Sequence, residues 1–299
     1  MGISSKVKIL TLLFCLEKLY IIQGLSYLCI VNNSPIGVFD SGIGGLTIVK
    51  AMQKYLPNES IIYFGDTAHL PYGDKSPELI QKYAANIAYF LIQEKVKLIV
   101  IACNTASAVG LDVVQKIAGN IPVINVIDPA VKMALQHTLN YRIGVIGTKT
   151  TIQSRVYPVK IKEKRPEAYV TAKATPLLVP MIEEGWANSD ISDEIIQAYL
   201  SETTFETIDT LILGCTHYPL IKENIIRYFE NRVNVIDSAE AVSKEIKDIL
   251  TQKKLLCEPN HVPKHVFYVS DLTESFQQTT QIFLDTPVQL QERKWVENI

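Results

Sequence analysis

The chain has 299 residues, 47% hydrophobic and 20% charged, and its 29 Lys+Arg against 31 Asp+Glu give a formal net charge of −2. This composition excludes a disordered or collagen-like chain and predicts a globular protein able to bury one large core or two medium ones. The near-neutral balance argues against nucleic acid as a partner. The five cysteines (Cys15, Cys29, Cys103, Cys215 and Cys257) contain no C-x-x-C pair, which disfavours a zinc ribbon, a thioredoxin motif or a disulfide scaffold.

In chain order, the first segment stands apart. Ile9–Leu16 and Leu19–Val31 are apolar runs interrupted by Glu17-Lys18 and preceded by Lys6 and Lys8. Each is short of the ~20 residues that a spanning helix needs, and no small-residue cleavage site follows. Three readings fit this extension, set at residues 1–34: a start placed upstream of the true one near Val31, an appended helix or hairpin, or an export signal.

From Ile36 onward, short runs rich in Ile and Val alternate with amphipathic stretches. Strands are predicted at Ile36–Phe39, Ser60–Gly65, Leu98–Ala102, Val123–Val126, Arg142–Ile146, Tyr169–Ala174, Thr210–Leu213 and Val233–Ile236. Helical patterns cover Pro77–Gln93, Asp128–Thr138, Asp190–Glu202 and Ala239–Gln252, and Tyr268–Leu284 reads as a late strand and a final helix. Buried strands alternating with helices predict an α/β fold with parallel sheets.

The chain also repeats itself. Ile36-Gly37-Val38-Phe39-Asp40-Ser41 is echoed by Ile143-Gly144-Val145-Ile146-Gly147-Thr148. Leu98-Ile99-Val100-Ile101-Ala102-Cys103-Asn104-Thr105 is echoed by Leu211-Ile212-Leu213-Gly214-Cys215-Thr216. Two echoes in the same order and at nearly the same separation predict two similar α/β lobes related by a pseudo-twofold axis.

Ligands of open α/β sheets bind beyond the carboxyl ends of the strands. Cys103 and Cys215 both stand at such ends, so facing lobes would place two thiols across one cleft. Two opposed acid/base groups are what racemisation at a carbon needs: one removes a proton, the other returns one on the opposite face. A thiol must be tuned to act as a base, since its free pKa lies near ~8.5. Asp40, ending the first strand, is the expected proton partner of Cys103. His217, two residues after Cys215, shares a face with it in extended chain. The Gly-rich turn Asp40–Leu46 would offer backbone N–H groups to a carboxylate. Asn104, Thr105 and Thr216 add hydrogen-bond donors, and Pro71-Tyr72-Gly73 could close one side of the cleft. No further His or carboxylate sits at metal-ligand spacing from the cysteines, so no metal is expected.

Taken together, the blocks IGVFDSGIGGLTIVKAM, YFGDTAHLPYGDKS, IACNTASA, IGVIGTKTTIQSRVY and LILGCTHYPLI resemble those of the bacterial glutamate racemase family, in order and in spacing, from about Ile36 to Leu284. His69 departs from the family's pattern, where Arg is expected. The resemblance implies a cofactor-independent cytoplasmic enzyme that interconverts L- and D-glutamate for peptidoglycan. It implies that Cys103 takes the proton from D-glutamate and Cys215 from L-glutamate, assisted by Asp40, His217 and Glu183. It assigns substrate binding to Asp40, Ser41, Tyr72, Gly73, Asn104, Thr105, Thr216 and His217. It further implies a homodimer, no membrane partner, and a discontinuous first lobe of residues 35–128 plus 237–299 around a second lobe of 129–236. Two rivals stand beside it: a related two-cysteine racemase acting on aspartate, and a non-catalytic binder on the same fold, such as a gyrase inhibitor. The second is disfavoured because both cysteines, Asp40 and His217 are present.

Overall fold

A computed structural model of the chain describes residues 33–284 and 286–293. The three readings of residues 1–30, and Cys15 and Cys29 with them, lie outside the described residues.

The first part alternates β1 (Ile36–Asp40), α1 (Leu46–Tyr55), β2 (Ile61–Gly65), α2 (Pro77–Gln93), β3 (Leu98–Ile101), α3 (Asn104–Ala118) and β4 (Val123–Asn125). After α4 (Ile127–His137) come β5 (Arg142–Gly147), α5 (Lys149–Gln153), α6 (Val156–Lys164), β6 (Tyr169–Ala174), α7 (Leu178–Glu183), α8 (Asp190–Leu200), α9 (Thr203–Glu206), β7 (Thr210–Gly214), α10 (Lys222–Tyr228) and β8 (Asn234–Ile236). The chain closes with α11 (Ser238–Gln252), β9 (His265–Val269), α12 (Glu274–Phe283) and β10 (Leu290–Glu292).

Local chemistry sets several of these boundaries. Ser76 accepts from Leu79 N and Pro77 stands in the first turn, so α2 starts where its missing N–H does no harm. Asp237 accepts from the N–H groups of Ala239 and Glu240 and so caps α11. Strands β1, β2, β3 and β7 are buried at every residue, the mark of parallel strands covered on both faces.

Two all-parallel sheets result. One is six-stranded in the order β10-β9-β2-β1-β3-β4, the other four-stranded in the order β6-β5-β7-β8. The inner order of the first, β2-β1-β3-β4, is repeated by the second, with β5 in the place of β1 and β7 in the place of β3. These are the strands whose sequences echo each other. The chain leaves the first sheet after β4, and α11 carries it back from β8 to β9; α4 and α11 pack together at this crossing. One apolar cluster joins α1, α4 and α11 to the second lobe's interior, and another fills the space between the first sheet and α2–α3.

At the amino ends of β2 and β3, far from the cysteines, Lys97 and Glu59 form a buried ion pair at 2.6 Å. Glu59 also accepts from the backbone of Cys257 at 2.9 Å, tying the loop before β9 to the sheet. Among the described residues, no helix is long and apolar enough to cross a membrane.

Candidate active site

Because all strands of both sheets run parallel, their carboxyl ends gather the loops that build a site. Cys103 directly follows the alanine after β3, and Cys215 directly follows β7. Both line one cavity of about 280 Å³ shared by the two lobes. Ser41, Tyr72, Gly73, Asn104 and Thr105 line it from the first lobe, and Glu183, Thr216 and His217 from the second. Asp40 lies behind this lining, 1% exposed at the end of β1.

On the first side, Cys103 caps α3: its Sγ accepts from Ala106 N at 3.4 Å and lies 3.6 Å from Ser41 Oγ. A helix N-terminus favours a thiolate. Burial works the other way and, joined by the nearby Asp40 carboxylate, pushes the Cys103 thiol up to about 12. Burial likewise pushes the Asp40 carboxyl up, opposed by His217 and by N–H groups of the Gly-rich turn. Gly42 N donates to Asp40 Oδ2 at 3.0 Å, while Oδ1 is buried without a hydrogen-bond partner among the described residues. The turn was expected to offer its N–H groups to a ligand. Part of that set, Gly42 N foremost, goes to the Asp40 carboxylate.

On the second side the chain does not continue as a strand. Residues 215–217 turn, with His217 at φ −78° and ψ −30°, so the expectation of a shared face in extended chain is corrected. The turn still brings Cys215 Sγ to 3.7 Å from His217 Nδ1. His217 Nε2 lies 2.8 Å from Glu183 Oε1, and its ring meets Phe283 edge-on at 5.3 Å. Burial acts to lower the His217 pKa, but the hydrogen bonds to Cys215 and Glu183 overcome it and carry the imidazolium up to about 10.

The two halves therefore share a scaffold but not their assisting groups. Gly147 stands in the echo where Asp40 stands in the first half, and the second lobe supplies His217 and Glu183 instead.

Close approach between the lobes needs small residues. A Cβ at Gly44 would sit 2.3 Å from the His217 ring and 2.8 Å from Thr216 Oγ1, and one at Gly73 would sit 2.8 Å from Thr148 Cβ. Hydroxyls then bridge the lobes. Thr105 Oγ1 lies 2.9 Å from Thr148 Oγ1, Thr150 donates to Gly73 O at 2.9 Å, and Thr47 donates to Thr216 O at 2.9 Å. Tyr72 donates to Asp66 at 2.5 Å, and the same carboxylate takes Ser270 at 2.7 Å and His69 at 2.7 Å. His69 thus belongs to the shell that orients Tyr72.

The catalytic and substrate-binding candidates named from the sequence all line this cavity, except Asp40, which lies behind it. Thr148, Thr175 and Tyr218 also line it and were not singled out. The echo of Ser41 by Thr148 carried the signal for the first. Thr175 and Tyr218, joined at 2.7 Å, had no signal beyond being polar near a strand end or a cysteine.

A family model described as Asp/Glu/hydantoin racemase matches residues 36–246. The chain is 46% identical over 256 residues to a glutamate racemase of Chlorobaculum tepidum, covering 85% of this chain and 94% of that one. Among solved structures, glutamate racemase of Francisella tularensis in complex with D-glutamate matches with a TM-score of 0.83 at 45% identity, covering 89% and 98% of the two chains. A glutamate racemase isoform of Bacillus anthracis matches with a TM-score of 0.84 at 38% identity, covering 88% and 98%. The two repeated lobes, the paired strand-end cysteines and these matches agree: the chain belongs to the Asp/Glu/hydantoin racemase family and, within it, to the glutamate racemases.

Proposed function

We propose that the chain interconverts L- and D-glutamate by a two-base mechanism in which Cys215 serves the L-enantiomer and Cys103 the D-enantiomer. The observation that carries this reading is the placement of two thiols on echoed strand ends, lining one cavity from opposite lobes with different assisting groups. The similar protein from Francisella tularensis was solved with D-glutamate, which supports this substrate.

In the L-to-D direction, the Cys215 proton passes to His217, whose imidazolium is stabilised by Glu183. The Cys215 thiolate removes the α-proton, and the Cys103 thiol donates its own proton to the opposite face of the carbanion. That leaves Cys215 protonated and Cys103 as thiolate. In the D-to-L direction, Asp40 takes the Cys103 proton, the Cys103 thiolate removes the α-proton and the Cys215 thiol protonates the other face. Asp40 suits this part because its raised pKa makes it a willing acceptor for a thiol proton. Ser41, Tyr72, Gly73, Asn104, Thr105 and Thr216 hold the substrate's carboxylates and ammonium in this reading. Proton exchange with solvent then returns the spent thiolate and the protonated assisting group to their starting states. The product would serve peptidoglycan synthesis, and the working form is a homodimer.

Cys103→Ala and Cys215→Ala test the assignment. Each should abolish racemisation, because each face needs its own acid/base. Each should still eliminate HX from a β-substituted glutamate, since one base suffices there, and the two should prefer opposite enantiomers. Substantial racemisation by either variant refutes the two-base assignment.

A further inference from the structure

Tyr157 lies on α6 of the second lobe, outside the residues lining the cavity, yet it touches both cysteine-bearing strand ends. Its ring is 1% exposed and packs under Gly214, the residue before Cys215, where a Cβ would meet Tyr157 Cε2 at 3.3 Å. Its hydroxyl crosses to the first lobe and donates to Asn104 Oδ1, next to Cys103, at 2.6 Å. Asn104 is 2% exposed and lines the cavity, and its Nδ2 is buried without a hydrogen-bond partner among the described residues. A buried amide N–H is disfavoured unless something accepts from it, so the unsatisfied donor in a cavity wall marks where a ligand acceptor belongs.

We propose that Tyr157 is a positioning residue for the substrate: by holding Asn104 Oδ1 from the opposite lobe, it presents the Asn104 amide N–H to a substrate carboxylate. The proposal rests on reading the cavity as the glutamate site. The alternative amide orientation would aim Oδ1, an acceptor, at the carboxylate and lose the Tyr157 donor bond. Burial, with Cys215 nearby, keeps the Tyr157 phenol protonated, so it remains a donor at neutral and mildly alkaline pH.

The experiment compares Tyr157→Phe, Asn104→Ala and the double variant, reading KM and kcat for both enantiomers. Tyr157→Phe should raise KM about five- to tenfold for both, the loss of one positioning hydrogen bond, with kcat within about twofold of the parent. Asn104→Ala should raise KM at least as much, and the double variant should match Asn104→Ala. An unchanged KM in Tyr157→Phe, or a Tyr157→Phe effect that persists undiminished in the Asn104→Ala background, overturns the proposal while leaving Asn104 in the site. An unchanged KM in Asn104→Ala removes Asn104 from the substrate site and the proposal with it. If Tyr157→Phe does not fold, the parent protein answers: the Asn104 side-chain amide resonance should shift on adding D-glutamate, and its failure to move overturns the proposal.

Discussion

Burial raises the Asp40 carboxyl above its ordinary range, and the N–H groups of the Gly-rich turn only partly offset this. A carboxyl with a folded pKa above its unfolded one makes the fold lose stability as pH climbs through that window. Asp40→Asn does not titrate, so its stability relative to the parent should improve from pH 4 to pH 8, while kcat falls by ~10²–10⁴-fold, the usual worth of acid–base assistance. Urea midpoints of both proteins across that range check the first part; a gap that stays constant with pH contradicts it. His217 is raised from 6.5 to about 10, so its favourable contribution is complete below 6.5 and is lost as pH rises through about 10. The stability deficit of His217→Asn should therefore be largest near pH 6 and shrink towards pH 10. At this scale the sequence was highly legible. Cysteines, a carboxylate and a histidine at strand ends are chemistry-bearing types in places where chemistry happens. What stayed hidden was geometry: the turn at 215–217, and the use of the glycine-rich N–H groups by Asp40.

At the scale of elements, the glycine-rich turn between β1 and α1 shows a cost that no pattern reveals. Gly44 touches the His217 ring across the lobes, with no room for a Cβ. Gly44→Ala should fold, because its neighbours are side chains of the other lobe, yet lower kcat/KM by ~10²-fold through displacement of His217 on the scale of an ångström. Steady-state kinetics with a far-ultraviolet dichroism control decide this; an unchanged kcat/KM contradicts the contact. Helix α2 runs from Pro77 to Gln93 as the sequence predicts, since Ser76 and Pro77 mark its start. Most strands differ from expectation by a residue at one end. Strand β10 was not anticipated, because Leu290-Gln291-Glu292 is too short and polar to read as a strand without its partner β9.

For the whole molecule, the two echoes anticipated the shared order of the sheets, because a duplicated lobe keeps its buried strands in similar wording. The path by which the chain leaves the first sheet and returns came only from the resemblance: hydrophobic periodicity does not say which sheet a strand joins. The buried Lys97–Glu59 pair, at the end of the sheet away from the cysteines, separates stability from chemistry. Lys97→Met leaves a buried carboxylate unpaired and should cost about 3–5 kcal/mol, with kcat close to the parent's where the variant remains folded. Denaturant unfolding measures the loss; a loss well under 1 kcal/mol contradicts the role given to the pair.

The central claim is a reaction, and the most direct measurement is the circular dichroism of glutamate itself. Purified protein with D-glutamate, and separately with L-glutamate, and no added cofactor, should carry the signal of each from opposite signs to zero as the racemate forms. A signal that stays constant from both enantiomers would contradict the account.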